Sequence, residues 1–563
     1  MSKSITLLSK GIFEKPFMDS KAKTRSVSRK EWILGHLIGP LGLIFVVNTI
    51  AALVEKFFTQ QTGAMYGTEN IEMIQKMGGY YEVIMTVAKL LAVVLGLVNG
   101  WLMQHTKSRQ GRMRPWHLIF GFVSIIIGLL IFQFSGTTLG EGYWYWFFFL
   151  LIAYHTVGST YFYLFRDTIV SISSRSAKEK AHLKFIRQMS WTLISGIIIG
   201  MLVNMVVLPM WLEHDLGGYA VLLTILSIVA IPLLLMEYFY TKERVIEDVQ
   251  NQGNTNNIPV RAQLKALLTN KYFVIFTILM TIGGIVDNFK GGNVQYFYIK
   301  YLLGGEDNWA MFTIYQVVTG VPLGIGAFAI YPLAKKFGIR NVSFVGYGLV
   351  LIGSVIGWLQ PSNMIVAFVA GFIRQLGYLP NLYITATLLC YAYDSVEHKS
   401  GLRLEGLMGV SIITALQTAV YAPFAGGYES TILKMGFVDV VGVTPSNEVI
   451  SFMATAFYLF DIILATAYVI LLPFMDVEKK LPMINAELLE RKKAAVLARG
   501  EEWIEPEELE RMEAEENARV TEENRIEDLK EYCAKKGLDF DTENAKYFAK
   551  LEKKAKKQKA KSR

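Results

Sequence analysis

The chain has 563 residues, of which 52% are hydrophobic and only 18% are charged, and its formal net charge is +8. A mean hydropathy of +0.34 excludes an ordinary soluble domain. Two cysteines, Cys390 and Cys533, exclude a disulfide framework.

Residues 1–30 are the first segment, and we expect them to be cytoplasmic. They contain basic residues but no continuous apolar core followed by a small-residue cleavage site. A cleaved signal peptide is therefore not expected, and the first apolar run should serve as the membrane anchor.

Long apolar runs recur along the chain. About 20 helical residues cross a hydrocarbon core of roughly 30 Å, and in lipid the backbone must pair within each segment, which favours helices. The predicted spans are residues 32–60, 80–104, 115–135, 143–165, 190–211, 219–240, 272–303, 309–334, 342–360, 363–393, 406–428 and 448–475. The sequence therefore predicts an all-α membrane protein with twelve transmembrane helices.

Alternate connections between these spans are basic. HTKSRQGRMR follows the second span and DSVEHKSGLR follows the tenth, whereas LEHDLGG and QPSN lie in the other set of connections. Because basic connections remain in the cytoplasm, both termini are predicted to be cytoplasmic.

The polar stretch 241–271, which contains NQGNTNN, is predicted to be a cytoplasmic linker between two six-helix halves, residues 31–240 and 272–476. The basic hairpin after the second span has a counterpart, PLAKKFGIRN, at the same place in the second half. Two repeats around a central cavity are typical of secondary transporters, whose substrate sites lie near the membrane midplane.

Two motifs give the chain a family resemblance. The first comprises Gly100, Trp101, Thr106, Lys107, Ser108, Arg109, Gly111, Arg112, Arg114, Pro115 and Trp116; the second comprises Asp394, Glu397, Lys399, Gly401, Arg403, Glu405 and Gly406. With weaker support from residues 293–304, the chain resembles the glycoside-pentoside-hexuronide:cation symporters of the major facilitator superfamily. The resemblance covers roughly residues 30–475. It implies the major facilitator fold, a sugar or glycoside substrate and a bacterial plasma membrane.

Both motifs fall on predicted cytoplasmic hairpins, and we expect their charges to form a gate that pairs across the two halves. The gate residues are Lys107, Arg109, Arg112, Arg114, Asp394, Glu397, Lys399, Arg403 and Glu405. These charges could instead only fix the membrane topology. Gly111 and Gly401 favour the gate, since a plain charge cluster needs no tight turn.

The chain departs from the family at the cation site. The resemblance implies carboxylates in the second and fourth spans, but the corresponding positions hold Ala92, Gly96 and Ser159. A sodium site of that kind is not expected, because a hard cation needs several oxygen ligands. Lys89 lies on the same helical face as Ala92 and Gly96, and we expect its ammonium to occupy the place of the ion.

Ionisable residues deep in the spans are the predicted substrate contacts. Lys89, Asp287, Lys290 and Arg374 each cost about 2.5–3.5 kcal/mol to insert, so such residues usually face a cavity. Three cations against one carboxylate favour an anionic or strongly hydrogen-bonding ligand such as a hexuronide, although neutral sugars stay open. A structural pair of Asp287 with Lys290 or Lys89 is the alternative.

Two further residues of the fourth span, Ser159 and Tyr163, complete the predicted substrate site. Tyr163 lies a turn beyond Ser159 and could offer its ring to a sugar. His36 and His155 could carry protons, but a lone intramembrane histidine is more often a hydrogen-bond partner between helices.

Residues 477–563 are helical in pattern, heavily charged and without a core-sized apolar face. We expect a solvated cytoplasmic tail whose basic end lies along anionic lipid. Nucleic acid is not expected as a partner, because the membrane already accounts for the positive charge.

These observations predict a monomeric secondary transporter that moves a sugar or glycoside by alternating access, with a coupling proton still possible. A uniporter, a carrier of another organic anion and a transport-dead receptor or scaffold are the alternatives. No metal cluster, nucleophile motif or phosphate loop is present in the sequence, so neither an enzyme nor a cofactor is expected.

Overall fold

The computed structural model describes residues 27–549, apart from residues 107, 109, 175–176, 192–195, 245–258, 292, 307, 384, 386, 403–407, 499 and 501. The regular elements in this described part are helices. Those of the first half are α1 (Leu41–Tyr66, after a helical turn at Glu31–Ile38), α2 (Ile71–His105), α3 (Arg114–Gln133), α4 (Gly142–Ala153), α5 (Ser159–Ser173), α6 (Ala177–Met189), a helical segment at Gly196–Leu212, and α7 (Leu216–Tyr240).

The second half begins with a short helix inside the predicted linker. Its helices are α8 (Val260–Leu268), α9 (Lys271–Lys290), α10 (Val294–Leu302), α11 (Ala310–Phe337), α12 (Ile339–Leu359), α13 (Met364–Tyr383), α14 (Thr387–Ser400), α15 (Met408–Tyr421), α16 (Gly427–Lys434) and α17 (Asn447–Leu471); the tail adds α18 (Val477–Ala498) and α19 (Pro506–Lys536).

Side-chain caps fix several of the helix starts. Asn70 accepts a hydrogen bond from Met73 N at 3.2 Å before α2. Asp215 accepts one from Gly217 N at 2.8 Å before α7, and Asn270 accepts one from Tyr272 N at 3.0 Å before α9. Each cap satisfies an amide that the first helical turn cannot pair.

Two predicted spans are broken, one well inside the run and the other close to its end. Residues 272–303 divide into α9 and α10 at Gly291, whose φ is +57°. Residues 406–428 divide into α15 and α16 through a turn at Ala422–Phe424 and Gly426, whose φ is +67°. Glycine adopts these left-handed conformations without a Cβ penalty, so the chain can change direction there.

Nine helices in the described part are long and apolar enough to cross a membrane, or ten if the bent pair Ala310–Gly324 and Ala329–Phe337 is one span. Two predicted spans are not among them. The helical segment Gly196–Leu212 has 17 residues, and α15 has 14. The all-helical membrane class is therefore confirmed, whereas the number twelve stays a prediction.

The two predicted halves, residues 31–240 and 272–476, pack against each other through α2 with α15 and α16, and through α11 with the Gly196–Leu212 segment. At Gly78 the backbone of α2 lies close to α16: its carbonyl accepts a hydrogen bond from Ser430 Oγ at 3.0 Å. A Cβ at Gly78 would lie 2.9 Å from Leu433 Cβ. The absence of a side chain thus sets the close contact between the halves.

The tail differs from the solvated extension that the sequence predicted. Helix α18 packs on α14, with Val477, Ile484 and Leu488 buried. Glu478 accepts hydrogen bonds from Ile339 N at 2.8 Å and Arg340 N at 3.1 Å, and so caps α12. The prediction was wrong for α18, because a few apolar residues at helical spacing suffice to dock it. The side chains of helix α19 that the structure describes are mostly exposed, as expected.

Candidate functional site

A cavity of about 330 Å³ lies between the two halves. It is lined by α1, α2 and the helical segment Tyr154–Gly158 between α4 and α5 from the first half, and by α9, Gly291 and the α15–α16 turn from the second. Its polar lining residues are Asn48, Glu55, Lys89, His155, Asp287 and Asn288. Both helix breaks of the second half therefore border this central cavity.

Lys89 and Asp287 lie at the same cavity, although they belong to different halves. Neither forms an ion pair with another residue that the structure describes. The structural alternative, in which Asp287 neutralises Lys89 or Lys290, is thus not found. Asp287 is exposed and Lys89 is half-buried, so both charges are available to a ligand.

Lys290 and Arg374 have a different environment from the one predicted. Lys290 Nζ lies 2.5 Å from Asp461 Oδ1, and Arg374 Nη2 contacts Asp461 Oδ2. Lys290 Nζ also donates to Phe457 O at 3.1 Å, and the Arg374 guanidinium lies 4.4 Å from the centre of the Phe457 ring. We call Lys290, Arg374 and Asp461 the Asp461 triad; it lies outside the lining of the central cavity.

This triad corrects the predicted charge balance. The sequence interpretation set three cations against Asp287 alone. Asp461 and Glu55 add two carboxylates, so the central cavity and the Asp461 triad together contain three cations and three carboxylates. The premise of a cationic cavity was therefore wrong.

Ser159 and Tyr163 do not line the central cavity. Ser159 is buried, and its hydroxyl donates to His155 O of its own helical segment at 3.2 Å. The Tyr163 ring packs edge-on against Trp191 with centroids 5.9 Å apart, and Arg166 lies 5.2 Å from its centre. Their roles as substrate contacts stay predictions without geometric support.

The structure also shows what surrounds the positions where the family resemblance implies a cation site. A Cβ on Gly96 would lie 3.7 Å from Thr160 Cγ2, so the second and fourth spans face each other where the family resemblance places carboxylates. His155 lines the cavity a turn away, and its Nε2 has no hydrogen-bond partner in the described part of the chain.

The predicted gate hairpin between α2 and α3 is held within its own half. Glu243 accepts hydrogen bonds from Arg112 N at 2.7 Å and from Arg114 N at 3.0 Å, and so caps α3. The Arg114 guanidinium is buried and donates to Tyr238 O and Gln110 O, each at 3.0 Å. A Cβ on Gly111, whose φ is +112°, would overlap the Glu243 carboxylate. The tight turn predicted here is confirmed, and it serves this cap.

On the partner hairpin, Asp394 and Glu397 are half-buried on α14 and Lys399 is exposed. Gly401 ends the helix with φ +70°. Lys107, Arg109, Arg403 and Glu405 lie outside the described residues. Pairing of the two hairpins across the halves stays a prediction.

The opposite face holds a charge network that the sequence interpretation missed. Lys56 of α1 contacts Asp439 and lies 3.4 Å from Glu213, whereas Lys300 of α10 lies 2.6 Å from Glu213 and 2.8 Å from Asp439. Lys56 and Asp439 are fully buried. Since Lys56 and Glu213 belong to the first half and the other two to the second, this four-charge network joins the halves.

A signal for most of these missed residues was present in the sequence. Glu55, Lys56, Lys300 and Asp461 are ionisable residues inside long apolar runs, which is the pattern that singled out Lys89 and Asp287. Glu213 and Asp439 lie in connections, where a charge is unremarkable. Only the fold shows that they point inward.

Residues 35–479 match the family described as MFS/sugar transport protein. An isoprimeverose transporter of Lactiplantibacillus pentosus is 26% identical over 335 residues, which cover 57% of this chain and 66% of the relative. A raffinose carrier protein of Pediococcus pentosaceus is 23% identical over 387 residues, which cover 66% of this chain and 58% of the relative. The chain thus spans less than two thirds of these relatives.

A crystal structure of a D-xylose-proton symporter aligns with a TM-score of 0.53 at 16% identity, over 79% of this chain and 96% of that one. This likeness concerns the fold alone. The match over residues 35–479 confirms the resemblance that the two motifs predicted. The chain therefore belongs to the family of MFS sugar transport proteins, within the glycoside-pentoside-hexuronide:cation symporter group, and is a multi-pass plasma-membrane protein.

Proposed function

We propose that the chain is a monomeric secondary transporter that carries a neutral glycoside across the membrane by alternating access. The proposed architecture has twelve membrane spans in two halves, with both termini in the cytoplasm. The observation that carries the proposal is the central cavity, which lies between the halves and receives polar side chains from both.

The charge balance supports a neutral substrate over a hexuronide. The charged side chains among the described lining residues of the central cavity are one cation, Lys89, and two carboxylates, Glu55 and Asp287, so an acidic sugar would find no surplus of positive charge. The carboxylates and amides of Glu55, Asp287 and Asn288 suit sugar hydroxyls, which both donate and accept hydrogen bonds. The relatives named for isoprimeverose and raffinose carry neutral glycosides by name.

Alternating access requires a gate at each face. The four-charge network closes the predicted extracellular face, because Lys56 and Lys300 share the carboxylates Glu213 and Asp439 across the halves. The hairpins that contain Arg112 and Asp394 would form the other gate when this network separates. Such a pair of mutually exclusive contacts makes a two-state element.

Sodium is not proposed as the coupling ion. Ala92 and Gly96 supply no carboxylate where the family resemblance requires one, and a site for a hard cation needs several oxygen ligands. Lys89 supplies a fixed ammonium on the same helix.

Counterflow in proteoliposomes tests the proposal. Labelled raffinose and isoprimeverose are offered to vesicles preloaded with the same unlabelled sugar, and labelled methyl glucuronide serves as the acidic comparator. We expect counterflow with a neutral sugar and none with the glucuronide. A preference for the glucuronide would overturn the neutral assignment, and no counterflow with any of the three would favour a receptor or a carrier of other organic anions.

A matched pair of variants links the activity to the cavity. Asp287→Ala removes a charge at the cavity, whereas Arg511→Ala removes one from a side chain of α19 that is 67% exposed. We expect the first variant to lose most counterflow and the second to keep it. Equal counterflow in the two variants would remove Asp287 from the substrate path.

A further inference from the structure

Asp287 is a carboxylate whose electrostatic surroundings differ from those of its neighbours. Lys290 lies three residues later on α9. Its ammonium is 2.5 Å from Asp461, and it therefore forms no ion pair with Asp287. Asp287 itself is exposed at the central cavity and forms no ion pair within the described residues. An ionised group in such a place is tolerated only while water reaches it.

The groups that face Asp287 come from several elements. Glu55, Lys89 and His155 share the cavity with it. Lys290, Asp461 and the tyrosines Tyr347, Tyr378 and Tyr468 lie within electrostatic range of it in its own half. Since the Asp461 triad has two cations and one carboxylate, its net charge is one positive, and this charge offsets the ionised Asp287.

Glu55 is the only other carboxylate among the described lining residues of the cavity, and it is placed differently. It is 5% exposed and packs against the break in the second half, where a Cβ on Gly291 would overlap its carboxylate. Its position is therefore fixed by packing, whereas Asp287 lies one turn before Gly291 and is exposed at the cavity.

From this arrangement we infer that Asp287 is the proton-binding residue that couples sugar transport to a proton gradient, in place of the family's cation site. The inference rests on the proposed function. Closure of the cavity removes water from Asp287, and this desolvation opposes closure while the carboxylate is ionised. A proton taken up from one aqueous face removes that cost, so the loaded carrier closes and reorients. The proton then leaves Asp287 on the other face, and one proton moves with each sugar.

Accumulation in proteoliposomes separates this inference from the proposed function. Vesicles with an alkaline interior, and with the membrane potential held at zero, receive labelled raffinose or isoprimeverose, whichever shows counterflow. One proton per sugar allows about tenfold accumulation for each pH unit. The steady-state ratio depends on coupling and not on the rate of transport. Counterflow without gradient-driven accumulation in the unaltered chain would overturn the inference and leave the proposed function standing.

Three variants place the proton. Asp287→Asn resembles the protonated carboxyl, and we expect its accumulation ratio to stay near one at every imposed gradient, whatever its rate of counterflow. Asp287→Glu keeps a carboxylate, and Glu55→Gln is expected to bind the sugar less tightly. Both should still reach an accumulation ratio that follows the imposed gradient, because the ratio does not depend on the rate of transport. If Asp287→Asn gives no counterflow at all, the other two variants decide: retention by both supports Asp287. Loss of gradient dependence in Glu55→Gln would assign the proton to Glu55 and overturn the inference.

Discussion

The Asp461 triad predicts a large cost for a single uncharged substitution, Asp461→Asn. The carboxylate is 4% exposed and contacts both Lys290 and Arg374. Asparagine keeps the shape of the side chain but removes the charge. The substitution therefore leaves two cations inside the second half without their anion.

The expected loss in the free energy of unfolding follows from the burial of Lys290 and Arg374. Removing one member of a buried ion pair costs about 3–5 kcal/mol, because the remaining charge stays desolvated. Two cations lose a partner here, but Lys290 keeps its hydrogen bond to Phe457 O and Arg374 keeps the faces of Phe457 and Tyr458. We therefore expect Asp461→Asn to lower the free energy of unfolding by about 3–5 kcal/mol in total, rather than by twice that amount.

The assay is unfolding of the purified protein by sodium dodecyl sulfate in mild detergent, followed by the fluorescence of its tryptophans. Asp476→Asn is the matched control. Asp476 also pairs with two lysines, Lys271 at 2.7 Å and Lys480 at 2.9 Å, but Asp476 is 32% exposed and the lysines are 51% and 49% exposed. The hydrogen bond from Lys271 holds the pKa of Asp476 well below its usual range. An exposed pair of this kind contributes below about 1 kcal/mol.

If Asp461→Asn lowered the free energy of unfolding by less than about 1 kcal/mol, as the control does, the predicted role of the buried charges would be refuted. It would mean that water reaches the Asp461 triad and that its charges need no mutual compensation.

Three further outcomes follow from the gates and the exposed ion pair. Asp439→Asn should open the predicted extracellular face. The substitution destabilises the conformation that is closed at this face by about 3–5 kcal/mol, which raises the population of the open conformation more than about tenfold. Alkylation of Met85→Cys by an impermeant reagent, in a background without the two native cysteines, measures this opening, and an unchanged rate would argue against a gate. Gly111→Ala should lower the free energy of unfolding by about 1–3 kcal/mol, because its φ is +112° and its Cβ would overlap Glu243; detergent unfolding that matches the unaltered chain would contradict the strain. The control Asp476→Asn should be less stable than the unaltered chain at pH 7 and equal to it in strong acid. A carboxyl with a lowered pKa stabilises the fold above its unfolded pKa of about 3.9 and loses this contribution as the pH falls through its folded pKa; a gap that does not narrow below about pH 3.9 in thermal unfolding would exclude the ion pair as its cause.

Much of the fold could be predicted because lipid leaves few choices to the backbone. The predicted starts of the runs at 115–135 and 342–360 differ by one and three residues from those of α3 and α12. The break at Gly291 was not predicted. An apolar run shows length and composition, but a change of direction inside it depends on one residue's φ and on what packs beside it.

The candidate site could be predicted only in part. Lys89 and Asp287 were found because a charge in an apolar run is costly and therefore needs a cavity or a partner. The sequence could not decide between these two outcomes: Asp287 lies at a cavity, whereas Lys290 has a partner. That difference depends on Asp461, which lies 171 residues from Lys290 along the chain.

The same limit applies to the motif residue Arg114. Its charge and its place in a basic hairpin predicted a gate, but its guanidinium is buried against Tyr238 O. Sequence position gave the hairpin, whereas the partner came from the end of α7, where the helix leaves a carbonyl free to accept.

Docking of α18 has a consequence for how the protein could be observed. Glu478 is bound to the first turn of α12, and His398 Nε2 of α14 lies 2.6 Å from Glu487 Oε2. Helix α18 therefore travels as part of the second half whenever the halves rock. A fluorophore on α18 and a second one on the α2–α3 hairpin would report each movement of the halves as a change in energy transfer. Neither label would lie in the cavity that the sugar is proposed to enter.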